Sequence, residues 1–163
     1  MPRRFTKIKF DGTTVELHYE EGDNFTDKYT MKCNELPRPE MTKAFDDMRE
    51  EARLLCELPP DYLQRIEVRS VTLNYSGKQE TMGATISARM KLEYSNAPLI
   101  LNTPNKPVQP YQEGYYDEET LEKMCLRGQC TGKLAKLIDE AHYYVDGIRA
   151  QGNLFEDQKM VAV

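Results

Sequence analysis

The strongest nucleophiles and soft metal ligands in this chain are four cysteines and two histidines. Cys125 and Cys130 are separated by four residues, Cys33 and Cys56 have no partner at ligand spacing, and His18 and His142 stand alone. That spacing does not describe a zinc site. In a reducing compartment the cysteines are expected as thiols, with Cys33 and Cys56 as small core residues and Cys125 and Cys130 flanking a turn. The phosphate-cradling glycine loop, the zinc-binding helix pattern, the nucleophile elbow and the calcium loop are all missing from the sequence. Carboxylates are plentiful, but no pair stands out from the acidic surface. The sequence therefore assigns no catalytic residue, no cofactor and no metal. An enzyme would have to assemble its groups in three dimensions, and the Pro- and Tyr-rich loop from Pro104 to Tyr116 is where a small nucleic-acid-processing activity would sit.

Cations are better placed. Arg65, Arg69, Arg89 and Lys91 fall on the polar positions of two alternating segments, beside Thr85 and Ser87. With Arg3, Arg4, Lys7 and Lys9 they describe a candidate phosphate-contacting face. Glu67 and Glu93 are interleaved with them, so the plain alternative is an ordinary solvated antiparallel face. Lys plus Arg number 22 against 27 Asp plus Glu, a formal charge of −5. Bulk charge thus argues against a dedicated nucleic-acid binder and leaves room for weak local contact. The opposite sign is concentrated from Asp46 to Glu57, where a charged helix face is read first as solvated and second as a mimic of nucleic-acid charge, as in an inhibitor of a host defence or replication protein.

At the carboxyl end the chain reads Gln151-Gly152-Asn153-Leu154-Phe155. This resembles the short peptide, Gln then two variable residues then Leu-Phe, by which bacterial replication and repair proteins dock onto the DNA polymerase sliding clamp. The resemblance implies Gln151 as the polar anchor and Leu154 with Phe155 as the apolar anchors. Two large apolar side chains on a polar tail also fit burial by a partner. Ordering a free peptide lowers affinity, so micromolar-like binding, about −8 kcal/mol, is expected. The other expectation is that Leu154 and Phe155 fold back onto the protein's own core. The chain as a whole is similar to small proteins from the early or accessory regions of tailed bacteriophages and prophages. That likeness rests on the block VTLNYSGKQETMGATISARMKLEYSNAPLILNTP. It implies a bacterial cytoplasm and a role beside DNA replication, recombination or host defence.

The elements that must position these residues follow from periodicity. From 82 to 94 every even residue is apolar or small, a period of two. The preceding segment carries Ile66 and Val68 in one phase and Val71, Leu73 and Tyr75 in the other, and a one-residue bulge at Arg69-Ser70 brings them onto one face. The expected pairs are Tyr75 with Met82, Leu73 with Ala84, Val71 with Ile86, Val68 with Ala88 and Ile66 with Met90. An amino-terminal hairpin turns at Gly12-Thr13 and sets Phe10 against Val15 and Ile8 against Leu17, with His18 on the solvent side. A strand through Tyr29, Met31 and Cys33 follows.

Pro39 to Cys56 shows one helical stripe of Met41, Ala44, Phe45, Met48, Ala52, Leu55 and Cys56, with the charged residues, Glu51 among them, outside it. A short strand covers 98–101. The loop 102–117 ends at Asp117, which starts a short helix, and a longer helix is expected from Lys133 to Arg149. The resulting expectation is an α+β fold: an antiparallel sheet of five to six strands built on the hairpin 65–94, with two main amphipathic helices on one face. Residues 1–149 form one domain and 150–163 a flexible tail. The amino-terminal run MPRRFTKIKF enters an alternating strand directly, and no apolar run approaches a membrane span of about 18 residues. A cytosolic protein is expected, and open sheet edges leave room for homo-oligomers.

Overall fold

The structure is a computed structural model and describes residues 2–150. Its centre is the long hairpin of β4 (Ile66–Ser76) and β5 (Thr81–Met90). All five expected pairs occur, and the register shifts by one residue between Val68 and Ser70. The extra residue is Arg69. Without that bulge one half of β4 would turn its apolar residues to water; with it Ile66, Val68, Val71 and Leu73 are all buried. β5 ends at Met90, short of the alternation that runs to Tyr94. Lys91 N–H donates to Arg65 C=O at 2.9 Å, and β4 begins at the next residue, so further extension has no ladder to join. Leu92 and Tyr94 are exposed accordingly.

Around this hairpin stand β1 (Arg3–Phe10), β2 (Val15–Glu21), β3 (Asp27–Cys33), β6 (Leu99–Asn102) and the two-residue β7 (Lys106–Pro107). The sheet is antiparallel in the order β3-β2-β1-β4-β5-β6, with β7 also on β5. Phe10 pairs with Val15 and Ile8 with Leu17, as the alternation requires. A second bulge at Thr6 brings Phe5 onto the core face with Ile8. Asp11 closes the turn by accepting from the Thr13 and Thr14 amides, which with the Thr13 hydroxyl hold its carboxyl down at about 2.

The stripe from Pro39 forms two helices where one was expected, α1 (Pro39–Asp47) and α2 (Arg49–Leu55). Met48 lies at the break and is fully buried; its N–H bonds to Phe45 C=O, a tightened turn. A 3₁₀ turn over Pro60–Arg65 leads into β4. After β7 come α3 (Glu118–Met124) and α4 (Gly128–Val145). Asp117 caps α3 by accepting from Thr120 N–H at 2.8 Å. α4 starts earlier than the apolar stripe from Leu134 indicates, because Cys130 is buried and draws the first turn into the core. It also stops at Val145, leaving Ile148 exposed.

One apolar cluster joins the sheet to α1, α2 and α4 through Phe5, Ile8, Leu17, Phe45, Met48, Ala52, Ile86, Leu134 and Leu137. Tyr144 ties the end of α4 to the chain before α1 by donating to Glu35 C=O at 2.6 Å. The Pro-rich loop brings the Tyr111 hydroxyl to Gly83. A Cβ there would stand 2.7 Å from both that hydroxyl and Asn74 Oδ1, so a larger residue in β5 would have to displace these side-chain ends. Tyr115 is solvent-exposed.

Candidate functional site

The bulge that repairs the hydrophobic phase also aims a cation. Arg69, the extra residue, lines a cleft of about 560 Å³ at the end of the sheet, together with Arg65, Arg89 and Lys91. The four residues singled out from sequence are therefore neighbours. Arg49 joins them from the start of α2, so five cations and two carboxylates, Asp46 and Glu67, line the cleft. Gln64, Ser95 and Asn96 complete its polar wall.

Each cation is held differently. Arg69 donates to Glu67 at 3.1 Å and to the Asp11 carbonyl, which fixes its guanidinium across the sheet end. Arg49 reaches Gln64 at 3.4 Å and lies 3.7 Å from Asp46. Arg65 stacks on Tyr62 and sits 3.9 Å from Glu93. Arg89 and Lys91 are exposed and make no ion pair among the described residues. The Nε atoms of Arg49 and Arg69 are buried without a hydrogen-bond partner. A buried donor left unpaired costs about 1–3 kcal/mol, and here two such donors belong to one cleft.

The cleft has the chemistry of an anion receptor. Its walls carry no histidine or cysteine, and Ser95 is the one hydroxyl. It can neutralise and orient a phosphate by charge-assisted hydrogen bonds, with arginine forks matching the oxygen spacing. Arg49 was read from sequence as part of a solvated helix face. Its position within the stripe's span, next to Met48 and four after Phe45, was the available signal, because stripe-flanking residues on a packed helix are half-covered.

Of the wider basic set, Lys9 makes no ion pair among the described residues and the other three are paired with carboxylates. Arg3 pairs with Glu21 and Asp146, Arg4 with Glu20 and Glu80, and Lys7 with Glu16. Glu16 also accepts from His18 at 2.7 Å, and that bond, with Lys7 and Lys32 nearby, brings its carboxyl to about 2. His142 packs edge-on against Phe5 at 4.7 Å and faces Arg3; burial and that charge lower its pKa.

A second concavity, about 1160 Å³, lies between α2, the 104–110 loop and α3, and both Cys125 and Cys130 line it. Its deepest polar group is Glu51, expected on the solvated face yet only 1 % exposed. Arg127 grips it with two hydrogen bonds, 2.6 and 2.5 Å, and Lys133 adds a third at 2.7 Å. The carboxylate is thus a structural tie between α2 and α4. Burial and the neighbouring Glu51 push the Cys130 thiol up to about 12, and burial raises Cys125, so neither is a ready thiolate. No group of three or more His, Cys, Asp or Glu residues that could hold a metal ion occurs among the described residues. Gln151, Leu154 and Phe155 lie outside the described residues.

No family model, curated protein or solved structure matches this chain. Among the described residues no helix is long and apolar enough to cross a membrane.

Proposed function

We propose that this protein is a non-enzymatic, phage-type accessory protein of DNA metabolism, which contacts nucleic-acid phosphate through the cleft of Arg49, Arg65, Arg69, Arg89 and Lys91. The observation that carries this reading is the gathering of five cations around one cleft in a chain of net charge −5. The two unpartnered arginine Nε atoms in the same place support it. Two carboxylates in the wall and the acidic remainder of the molecule make the contact weak and sequence-independent.

Binding to a labelled oligothymidylate, followed by anisotropy across salt, tests it. With about three phosphates engaged, the slope of log K against log salt for a single strand is about −2, so affinity falls roughly 20-fold from 50 to 200 mM. Arg89→Ala with Lys91→Ala should flatten that slope by about 1.4. A slope indistinguishable from zero, or one unchanged in the double variant, rejects the cleft as the contact.

Docking on the bacterial sliding clamp through Gln151, Leu154 and Phe155 belongs to the same proposal and rests on the peptide sequence alone. Leu154→Ala with Phe155→Ala should abolish binding of the full chain to purified clamp. Equal binding by both forms, or by neither, removes that part.

A further inference from the structure

The two edges of the sheet are guarded very differently. β3, on one side, carries Asp27, Lys28 and Lys32 within seven residues. Charged side chains on an edge strand oppose addition of another strand. β6, on the other side, reads Leu-Ile-Leu-Asn and carries no charge, with Leu99 45 % and Ile100 58 % exposed. Leu92 and Tyr94, 38 % and 93 % exposed, precede it.

The backbone of β6 is polarised for pairing. Thr103 N–H donates to Ile86 C=O at 3.0 Å. Antiparallel ladders alternate, so Leu101 and Leu99 spend their groups on β5 while Ile100 and Asn102 direct N–H and C=O outward. On the faces, Leu99 and Leu101 stand opposite Met90 and Ala88 on the core side, and Ile100 stands opposite Arg89 on the outer side. A two-fold axis at Ile100 therefore gives a self-complementary register. Ile100 meets Ile100 on the outer face, and Leu99 meets Leu101 on the core face. The Ile100 pair exchanges two hydrogen bonds, and each Asn102 N–H reaches the opposing Pro98 carbonyl. Pro98 has no N–H to return, which ends the ladder at that residue.

We propose that β6 pairs antiparallel with β6 of a second copy about a two-fold axis at Ile100, joining the two sheets into one. The occupant is a second copy because the strand matches itself on both faces and bears no charge to repel its image. This inference stands apart from the phosphate reading. It does set Arg89 of the two copies on one outer face, three strand spacings or about 14 Å apart.

Sedimentation of the full chain over a wide concentration range tests the pairing. The weight-average mass should rise from 18.9 kDa toward twice that value, and Ile100→Lys should hold it at the monomer. Lys28→Ile, on the opposite edge, should leave the monomer–dimer equilibrium unchanged. Hydrogen-bonded antiparallel partners place Cα atoms about 5.5 Å apart, within disulfide range. Ile100→Cys should therefore give a covalent dimer on mild oxidation, while Asn102→Cys and the unsubstituted chain do not; this holds even if the lysine variant fails to fold. A chain that stays monomeric throughout, or an Ile100→Lys form that associates like the parent, overturns the proposal. So does loss of association on removing residues 151–163 with Ile100→Lys without effect, since association then runs through those residues and not through β6.

Discussion

Replacing Glu51 by alanine isolates the tie between α2 and α4. The substitution removes two hydrogen bonds from Arg127 and one from Lys133 and leaves both cations facing a vacated, largely apolar site. Breaking a buried ion pair by deleting one partner costs about 3–5 kcal/mol. Arg127 and Lys133 keep 44 % and 29 % of their side-chain surface in solvent, so they recover part of their hydration. A loss of about 2–4 kcal/mol at pH 7 follows. For a chain of this size it lowers the melting temperature by roughly 5–12 °C. Urea titration followed by circular dichroism reads it as a fall in midpoint at constant slope.

Removing the stranded cation as well, in Glu51→Ala with Arg127→Ala, should cost less than the sum of the single changes. Glu50→Ala is the comparison, because Glu50 is half-exposed and among the described residues pairs with Arg53 alone, so it should cost less, about 1 kcal/mol. The pH dependence has a definite sign. Burial opposes ionisation of Glu51, but the bonds from Arg127 and Lys133 outweigh it and hold its carboxyl below the ordinary value. Its stabilisation is therefore complete above the unfolded carboxylate pKa of about 4.3 and is lost as pH falls through the lower folded value. The difference between parent and Glu51→Ala should be flat from pH 7 to about 5 and shrink below that. A Glu51→Ala form within about 0.5 kcal/mol of the parent, or no worse than Glu50→Ala, refutes the tie.

Deleting Arg69 removes the extra residue and leaves Ile66, Val68, Val71 and Leu73 in one unbroken alternation, so the chain should keep cooperative unfolding, whereas deleting Thr72 turns Leu73 and Tyr75 to the other face and should abolish it, as near-ultraviolet circular dichroism will show. Tyr75→Phe removes the hydroxyl that donates to Phe5 C=O at 2.7 Å and should cost about 1–2 kcal/mol in denaturant midpoint. Titration of the Glu16 carboxyl by carbon-detected NMR should give a midpoint of about 2, and His18→Ala should raise it, because the imidazole supplies the largest stabilising bond.

Alternation and local turn chemistry made much of the sheet legible. The phase slip between Val68 and Val71 required a bulge, and the pairing of Tyr75 with Met82 followed from loop length alone, since a strand's side-chain period admits one register with a buried face. The candidate cleft was half legible. Arg65, Arg69, Arg89 and Lys91 share a strand face by the same arithmetic, but Arg49 joins them only through the way α2 meets the end of β4. Glu51 was misplaced for a related reason: next to Glu50 and Arg53 it reads as surface, and the cations that allow its burial, Arg127 and Lys133, lie far along the chain.

Local information, period, turn residues and helix caps, thus determined the main strands, the pairing within the two hairpins and the side of the sheet that is covered, while the order in which the hairpins, β3 and β6 join came from the tertiary structure. Tertiary structure alone decided where each charge is neutralised. Arg127 and Lys133 look as free in sequence as Arg89 and Lys91, and only the folded chain brings Glu51 to the first two. The physical reason is range: side-chain periodicity acts over a few residues, whereas an ion pair forms between whichever charges the completed fold sets within about 4 Å, irrespective of their separation in sequence.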